Sequence, residues 1–338
     1  IGEHVDYCDG FVMPFAISDR THAAIKRRPD RKISISSLQR PNEIFETSLD
    51  DLQPSGEGNW ERYICGVIWA FGDHITNGLE ILVDGHVALG AGLSSSAAIE
   101  CATVFALNEL LGTNLSRLAM VEMAQKAEHE YAGVMCGIMD QFASMMGKKD
   151  HVIRLDCQSL EYQYVPLKLE GYKIVLFNTN VKHSLASSEY NTRRNECIQA
   201  VDWVRQTEPA VESLRDVTEL MLDQCVKPNS ELIDKRSRFV VQEIERLLIG
   251  CLDLSEGNIQ ALGKKMFATH EGLSKMYEVS CKELDWLVDF VKDNPNVMGA
   301  RMMGGGFGGC TINLVKEDAI ETLIESIQPA YEQAIHLT

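Results

Sequence analysis

Leu89-Gly90-Ala91-Gly92-Leu93-Ser94-Ser95-Ser96-Ala97-Ala98 is the stretch on which the reading of this chain turns. Two glycines let a backbone fold closely around an anion, because they lack a Cβ and tolerate positive φ. Three serines then stand at the mouth of an Ala-rich segment that reads as a helix ending near Gly112. Free N–H groups and the macrodipole at such a start favour phosphate. Ser96, on the first turn, can also offer an oxygen to Mg²⁺. The stretch is not the Walker pattern, because no Lys follows its second glycine. An ordinary serine cap after a loop is the plainer alternative.

Upstream, Leu79 to Val83 reads as a strand that stops at the turn signal Asp84-Gly85. Trp60 to Phe71 has helical spacing, with Tyr63, Ile64, Val67, Ile68 and Phe71 on one apolar face. Lys32 to Ser37 and Phe11 to Ile17 read as short extended runs. Before them stands Gly2-Glu3-His4-Val5-Asp6-Tyr7, with three polar groups in four residues. Glu3, His4 and Asp6 can ring the hydroxyls of a sugar with donors and acceptors; a solvated loop is the alternative. Metal ligation there lacks a fuller set of ligands.

Downstream, Leu115 to Tyr131 reads as a helix capped by Ser116, and Gly137 to Gly147 as another. They carry Glu128, in Ala-Glu-His-Glu-Tyr, and Asp140, in Cys-Gly-Ile-Met-Asp-Gln-Phe. A carboxylate in apolar company such as Asp140 suits a general base, and Glu128 could serve Mg²⁺. Plain capping or surface roles are open to both. Val152 to Asp156 and Tyr162 to Leu167 read as paired strands, and Tyr172 to Asn178 as another. The rest reads as mostly helical as far as Gly304-Gly305-Gly306-Phe307-Gly308-Gly309. Five glycines in six residues make sense where backbone must approach a ligand or the serine-rich loop closely. A strand over Thr311 to Val315 and a last helix from about Glu317 follow. The layout is α+β, with a domain boundary placed near residue 165, giving domains 1–165 and 166–338.

Composition narrows the function. The 338 residues carry 49 acids against 32 bases, a net charge of −17. Such a surface repels nucleic acid and anionic membranes, so neither is expected as a partner. The ten cysteines are scattered, with no pair at CxxC spacing. In a chain this large that pattern reads as free thiols in a reducing, cytoplasmic setting. No apolar run approaches the roughly 18 residues of a membrane span. The chain opens at Ile1 with neither an initiator Met nor a signal peptide, so an earlier segment of the natural protein is expected.

Together these features resemble the GHMP small-molecule kinases, and within them the galactokinase family. The resemblance runs nearly the whole length. Gly-Glu-His-Val-Asp-Tyr resembles the family's signature, and the serine-rich stretch resembles the superfamily's phosphate loop. Cys-Gly-Ile-Met-Asp-Gln (136–141), His-Ser-Leu-Ala-Ser-Ser-Glu-Tyr (183–190) and the glycine run with Cys310 complete the set. The resemblance implies two α+β domains with the active site in the cleft between them. It implies MgATP-dependent phosphorylation of D-galactose at its C1 hydroxyl, the first committed step of galactose catabolism, by a monomer. Glu3, His4, Asp6, Gly137 and Tyr190 would bind the sugar, and Asp140 would be the catalytic base. Gly90, Ala91, Gly92, Leu93, Ser94, Ser95 and Ser96 would hold the ATP phosphates. Ser96 and Glu128 would hold Mg²⁺, and Ser37 and Trp60 would lie near the adenosine. An Arg expected before Gly2, thought to stabilise the transition state, lies outside this chain.

Three positions depart from the family's pattern: Cys8 stands where Asn is usual, Ala88 where Pro is, and Met303 where Thr is. Cys8 adjoins the sugar loop, so sugar selectivity is the inference it touches. An N-acetylgalactosamine kinase also carries a Cys after the Asp-Tyr pair, but there Gly follows it directly. Here Cys8-Asp9-Gly10 keeps the galactokinase spacing. A non-catalytic galactose and ATP sensor is the other alternative; such sensors carry a damaged phosphate loop, whereas this one is intact.

Overall fold

The computed structural model describes residues 1–54, 59–88, 92–181 and 186–335, the side chains of 186–188 excepted. The chain divides into two compact units. The smaller comprises Phe15–Leu89 and Leu93–Lys149; the larger comprises Ile1–Pro14, Gly90–Gly92 and Asp150–Thr338. The first strand, β1 (Phe11–Val12), belongs to the larger unit. The next four, β2 (Thr21–Arg27), β3 (Lys32–Ser37), β4 (Arg40–Ser48) and β5 (Leu79–Gly85), form the sheet of the smaller one.

That sheet runs in the order β2-β5-β3-β4, antiparallel except for the β3–β5 pair. Its burial follows the period of two expected of a sheet with one dry face. Ile33 and Ile35 of β3 are buried, as are Leu79, Ile81 and Val83 of β5. β3 and β5 therefore lie where the sequence places them. β2 and β4 escaped that reading because neither has a fully buried residue to mark a face. Four helices complete the unit: α1 (Glu61–Phe71), α2 (Ser95–Leu111), α3 (Arg117–Lys126) and α4 (Met139–Met146). α1 buries Ile64, Val67, Ile68 and Phe71, the face its spacing predicts. α2 stops at Gly112, whose φ of +67° ends it in the left-handed form usual for a helix C-cap. Ser116 caps α3 by accepting the Ala119 N–H at 3.1 Å. α4 starts at Met139, two residues later than the expected Gly137.

The larger unit has two three-stranded sheets. In one, β6 (His151–Asp156) lies between β1 and β7 (Tyr162–Pro166). In the other, β10 (Cys310–Lys316) lies between β8 (Tyr172–Asn178) and β9 (Val297–Met302). Helices α5 (Ala186–Arg205), α6 (the single turn Glu219–Met221), α7 (Glu231–Ser255), α8 (Ile259–Glu271), α9 (Lys282–Lys292) and α10 (Ile320–Ile335) complete it. Three sequence expectations change here. The strand expected over 11–17 pairs only at Phe11 and Val12, because Pro14 has no N–H to give a ladder; its carbonyl takes the Ile153 N–H at 2.8 Å instead. β9 falls where helix was expected, since it is buried along nearly its whole length and has no period to betray it. The cut placed near residue 165 falls inside β7. Antiparallel pairing of β1 with β6 groups the first fourteen residues with the chain beyond Asp150. Among the described residues no helix is long and apolar enough to cross a membrane.

α8 lies flat on β9 because two glycines face each other there. A Cβ on Gly299 would sit 2.5 Å from the Gly263 Cα, and one on Gly263 would collide with the Met298 carbonyl. Backbone cannot yield as a side chain can, so Gly263→Ala should cost about 2–3 kcal/mol of stability, the upper range for overpacking. Thermal melts check this; a variant that melts with the parent contradicts the close packing.

Candidate active site

Residues 2–8 form a loop that ends in one 3-10 turn, Asp6–Cys8. The loop is held by its partners rather than by its own turns. The Gly2 N–H donates to Glu243 Oε1 at 2.8 Å, inside a buried group where Glu243 also takes the Thr269 hydroxyl and the Arg246 guanidinium. Glu3 is 5% exposed and pairs with Arg301, itself 8% exposed. Burial alone would push the Glu3 carboxyl up, but the Arg301 guanidinium, together with the other positive groups around it, holds the carboxyl below its ordinary value. Glu3 is therefore ionised at neutral pH.

His4 adopts a φ of +62°, rare for a side chain with a Cβ. Both ring nitrogens are engaged by the protein. Nε2 lies 3.2 Å from the Gly305 carbonyl and Nδ1 lies 2.8 Å from the Tyr7 hydroxyl. A carbonyl only accepts, so Nε2 carries the proton and Nδ1 accepts from Tyr7. Burial pulls the ring down to about 4, which keeps it neutral at pH 7. The Tyr7 oxygen in turn accepts from the Tyr277 hydroxyl at 2.7 Å. The Tyr190 ring stands 5.3 Å from His4 and 5.2 Å from Tyr7. Asp6 is half-buried and takes the Tyr7 N–H at 3.1 Å. Burial nevertheless raises its carboxyl to about 6.

The glycine run, whose Gly305 carbonyl meets His4, packs closely on its other neighbours for a steric reason. Gly306, at φ +84°, has no room for a Cβ beside the Val279 carbonyl, which also takes the Phe307 N–H at 2.7 Å. A Cβ on Gly304 would come within 3.4 Å of the Gly92 Cα. The run thus approaches the serine-rich loop at Gly92, one of the two close approaches its composition suggests. Arg193 holds the neighbouring segment by donating to the Tyr277 and Glu278 carbonyls, both at 2.9 Å.

A second cluster belongs to the smaller unit. Ser94 precedes α2 in the left-handed conformation, φ +56°, and its side chain makes no capping bond. The first-turn N–H groups of α2 are therefore not used by that side chain. The Ser96 hydroxyl reaches the Glu128 carboxylate, which sits on a π-turn, Ala127–Tyr131, just after α3. Glu128 is 5% exposed, and Gln141 Nε2 donates to it at 2.6 Å and to the fully buried Glu100 at 3.2 Å. Burial raises the Glu128 carboxyl. Burial and the nearby Glu128 push that of Glu100 well above its ordinary value. Glu100 Oε1 has no hydrogen-bond partner among the described residues. Asp140 stands half-buried in the first turn of α4, near enough for its charge to be felt at Glu100 and Cys136.

Glu3, His4, Asp6 and Tyr190 are thus gathered in the larger unit, and Ser96, Glu128 and Asp140 belong to one neighbourhood of the smaller. Gly137 is buried two residues before α4. Leu93, Ser94 and Ser95 lead into α2, with Gly92 just before them. Ser37 ends β3 and donates to Gln39 at 3.1 Å, and Trp60 precedes α1; neither is joined to the Glu128 group by a described bond. Gly90 and Ala91 lie outside the described residues. Sequence reading missed Arg301, Glu243, Glu100 and Gln141. A charge inside an otherwise apolar run, as in Met-Gly-Ala-Arg-Met-Met, was the available signal. All ten cysteines are free thiols, six of them buried, so none forms the disulfide framework the sequence also argued against. Among the described residues no group of three or more His, Cys, Asp or Glu could hold a metal unaided. Mg²⁺ asks for less: one or two carboxylates beside phosphate oxygens and water. A hydroxyl touching a buried carboxylate, with an unpaired oxygen on the carboxyl behind it, fits that demand.

Comparison with known proteins agrees with the geometry. Residues 62–148 match the GHMP kinases N terminal domain, and residues 251–333 match the GHMP kinases C terminal domain. Residues 1–27 match the galactokinase galactose-binding signature. A Methanococcus jannaschii mevalonate kinase shares the fold, with a TM-score of 0.68 at 19% identity over 97% of this chain and 91% of that one. The galactokinase of Thermotoga neapolitana is 44% identical, over 98% of this chain and 91% of its own length. The Lactococcus lactis galactokinase, solved with galactose, superposes with a TM-score of 0.94 at 35% identity, covering 100% of this chain and 88% of that one. The architecture is that of a GHMP kinase. Within that class the chain belongs to the galactokinase family.

The raised carboxyl of Asp6 has a measurable consequence. Its folded value of about 6 stands above the ordinary 3.8, so its contribution to stability is complete below about pH 4 and lost as pH rises through 6. Asp6→Asn should remove that loss. The variant should gain on the order of 3 kcal/mol relative to the parent between pH 4 and pH 7, by the free-energy equivalent of such a shift. Parallel melts across that window decide it; a constant difference between the two proteins contradicts the assignment.

Proposed function

We propose that this protein transfers the γ-phosphate of MgATP to the C1 hydroxyl of D-galactose, giving galactose 1-phosphate. One observation carries the reading: the galactose-binding signature is a built site, with Glu3 ionised, His4 neutral and the Tyr190 ring tilted against His4. A kinase for another GHMP substrate would have no need of that set. Glu3 and Asp6 supply acceptors to the sugar hydroxyls. His4 would trade its longer bond, that to Gly305, for a hydroxyl. Tyr190 stands beside His4, and we assign Gly137 a sugar contact as well. Cys8 is buried with its thiol hydrogen-bonded to that of Cys197, so this departure from the family's pattern lies on the packed side of the loop. That supports galactose over its 2-acetamido analogue.

Phosphoryl transfer asks for positioning and charge stabilisation more than covalent chemistry. The N-terminus of α2 and residues 90–96 hold the ATP phosphates, with Ser37 and Trp60 toward the adenosine. Ser96 and Glu128 would hold Mg²⁺, which when bound neutralises phosphate charge. Asp140 accepts the hydrogen of the C1 hydroxyl and aims its oxygen at the phosphorus. Free thiols throughout support a cytoplasmic location.

The test is Asp140→Asn in the full-length protein, followed by coupled ADP release with galactose. The swap keeps the size and one acceptor but removes the charge and the capacity to take a proton. Turnover should fall at least ~10²-fold, the usual worth of a positioned acid–base group. Nucleotide titration and melting should stay near parental values. A variant that melts like the parent and turns over near the parental rate would remove Asp140 from the chemistry.

A further inference from the structure

We propose that Arg301 is a positioning residue for sugar recognition: its guanidinium occupies one oxygen of Glu3 and turns the other toward the substrate. The inference rests on the galactose-binding reading above. Arg301 is the penultimate residue of β9, three positions before the first glycine of the run. It is 8% exposed, which excludes a solvated surface charge. Its Nη1 donates both to Glu3 Oε1 and, at 2.8 Å, to the Met302 carbonyl. The same Oε1 takes the Gly304 N–H at 3.4 Å.

Every described bond to the Glu3 carboxylate therefore falls on Oε1, and none on Oε2. A carboxylate whose one oxygen is held by two donors has less freedom to turn, and its other oxygen is left as an acceptor for a hydroxyl. Arg301 is itself held at a fixed depth. The Met302 N–H donates to His270 Nδ1 at 3.1 Å, and His270 Nε2 pairs with Asp285 at 3.2 Å. The strand end is thereby tied to α8 and α9, and Arg301 meets Glu3 from a rigid base. The one-sided pattern leaves Glu3 Oε2 without a described protein partner, as a ligand-facing carboxylate needs.

The test compares Arg301→Met and Arg301→Lys with the parent, all full length. KM for galactose, KM for ATP and kcat are measured, with melting as a check on folding. Arg301→Met should raise the galactose KM at least ~10-fold and leave the ATP KM within about twofold, because a freed Glu3 loses its aim and not its distance from the nucleotide. Arg301→Lys keeps the charge but not the planar fork, and should fall between the two, at about threefold or more. If Arg301→Met does not fold, because a buried unpaired carboxylate is costly, Arg301→Lys decides alone. A lysine variant with the parental galactose KM overturns the proposal. So does a rise in both KM values together, which marks a general loss of structure. A parent without galactose-dependent ADP release would instead overturn the functional reading on which this one stands.

Discussion

A buried carboxylate from the start of the chain meets a buried guanidinium 298 residues later, and much of the larger unit is arranged around that pair. Removing two charges from water is costly, and their attraction offsets the cost only when the geometry is good and the remaining polar atoms are satisfied. Backbone supplies part of that satisfaction around Glu3 and Arg301, while the buried Arg301 Nε has no hydrogen-bond partner among the described residues. The Gly304 N–H and the Met302 carbonyl lie within reach, and the His4 ring closes on the Gly305 carbonyl one residue along. These bonds fasten residues 3–4 to residues 301–305. One glycine of the run has a plain steric reason: at Gly306 the backbone passes the Val279 carbonyl too closely to carry a Cβ.

The other cluster applies the same low-dielectric logic to carboxylates. Glu100 and Glu128 are buried side by side and share Gln141 Nε2 between them. Two such groups do not both ionise without a cation or a donor nearby. Burial raises both carboxyls, and the nearby charge of Glu128 raises that of Glu100 further. Ser96 joins the start of α2 to this group, so the helix end whose free N–H groups favour an anion lies beside the buried carboxylates.

Much of this was legible in the residues, and the reason differs from element to element. α1 and β3 declare themselves because one face of each is dry and the other wet, so the period survives in the sequence. Gly112 and Ser116 mark ends because few other residues do those jobs. β9 was hidden, since Val-Met-Gly-Ala-Arg-Met is buried on both faces and a uniformly apolar run has no period. The division of the chain was hidden for a topological reason: β1 pairs with β6, a long-range choice that no local pattern encodes. At the site, motif residues such as Glu3, Asp6 and Glu128 could be named from the signature. Their supports could not. Arg301, Glu243 and Gln141 act through burial and partners far along the chain, and a sequence shows neither.

The central claim is that this site phosphorylates galactose at the anomeric oxygen. Phosphorus-31 NMR of the full-length protein with MgATP reads that directly, with one sample containing galactose and another its C4 epimer glucose. A site whose buried groups pair with a particular hydroxyl discriminates against a sugar that misplaces it, by up to ~10⁴-fold. The account predicts a sugar phosphate whose phosphorus couples to the anomeric proton in the galactose sample, and only unreacted ATP with glucose on the same timescale. Phosphorus coupled to the C6 protons, or equal product from both sugars, would contradict it.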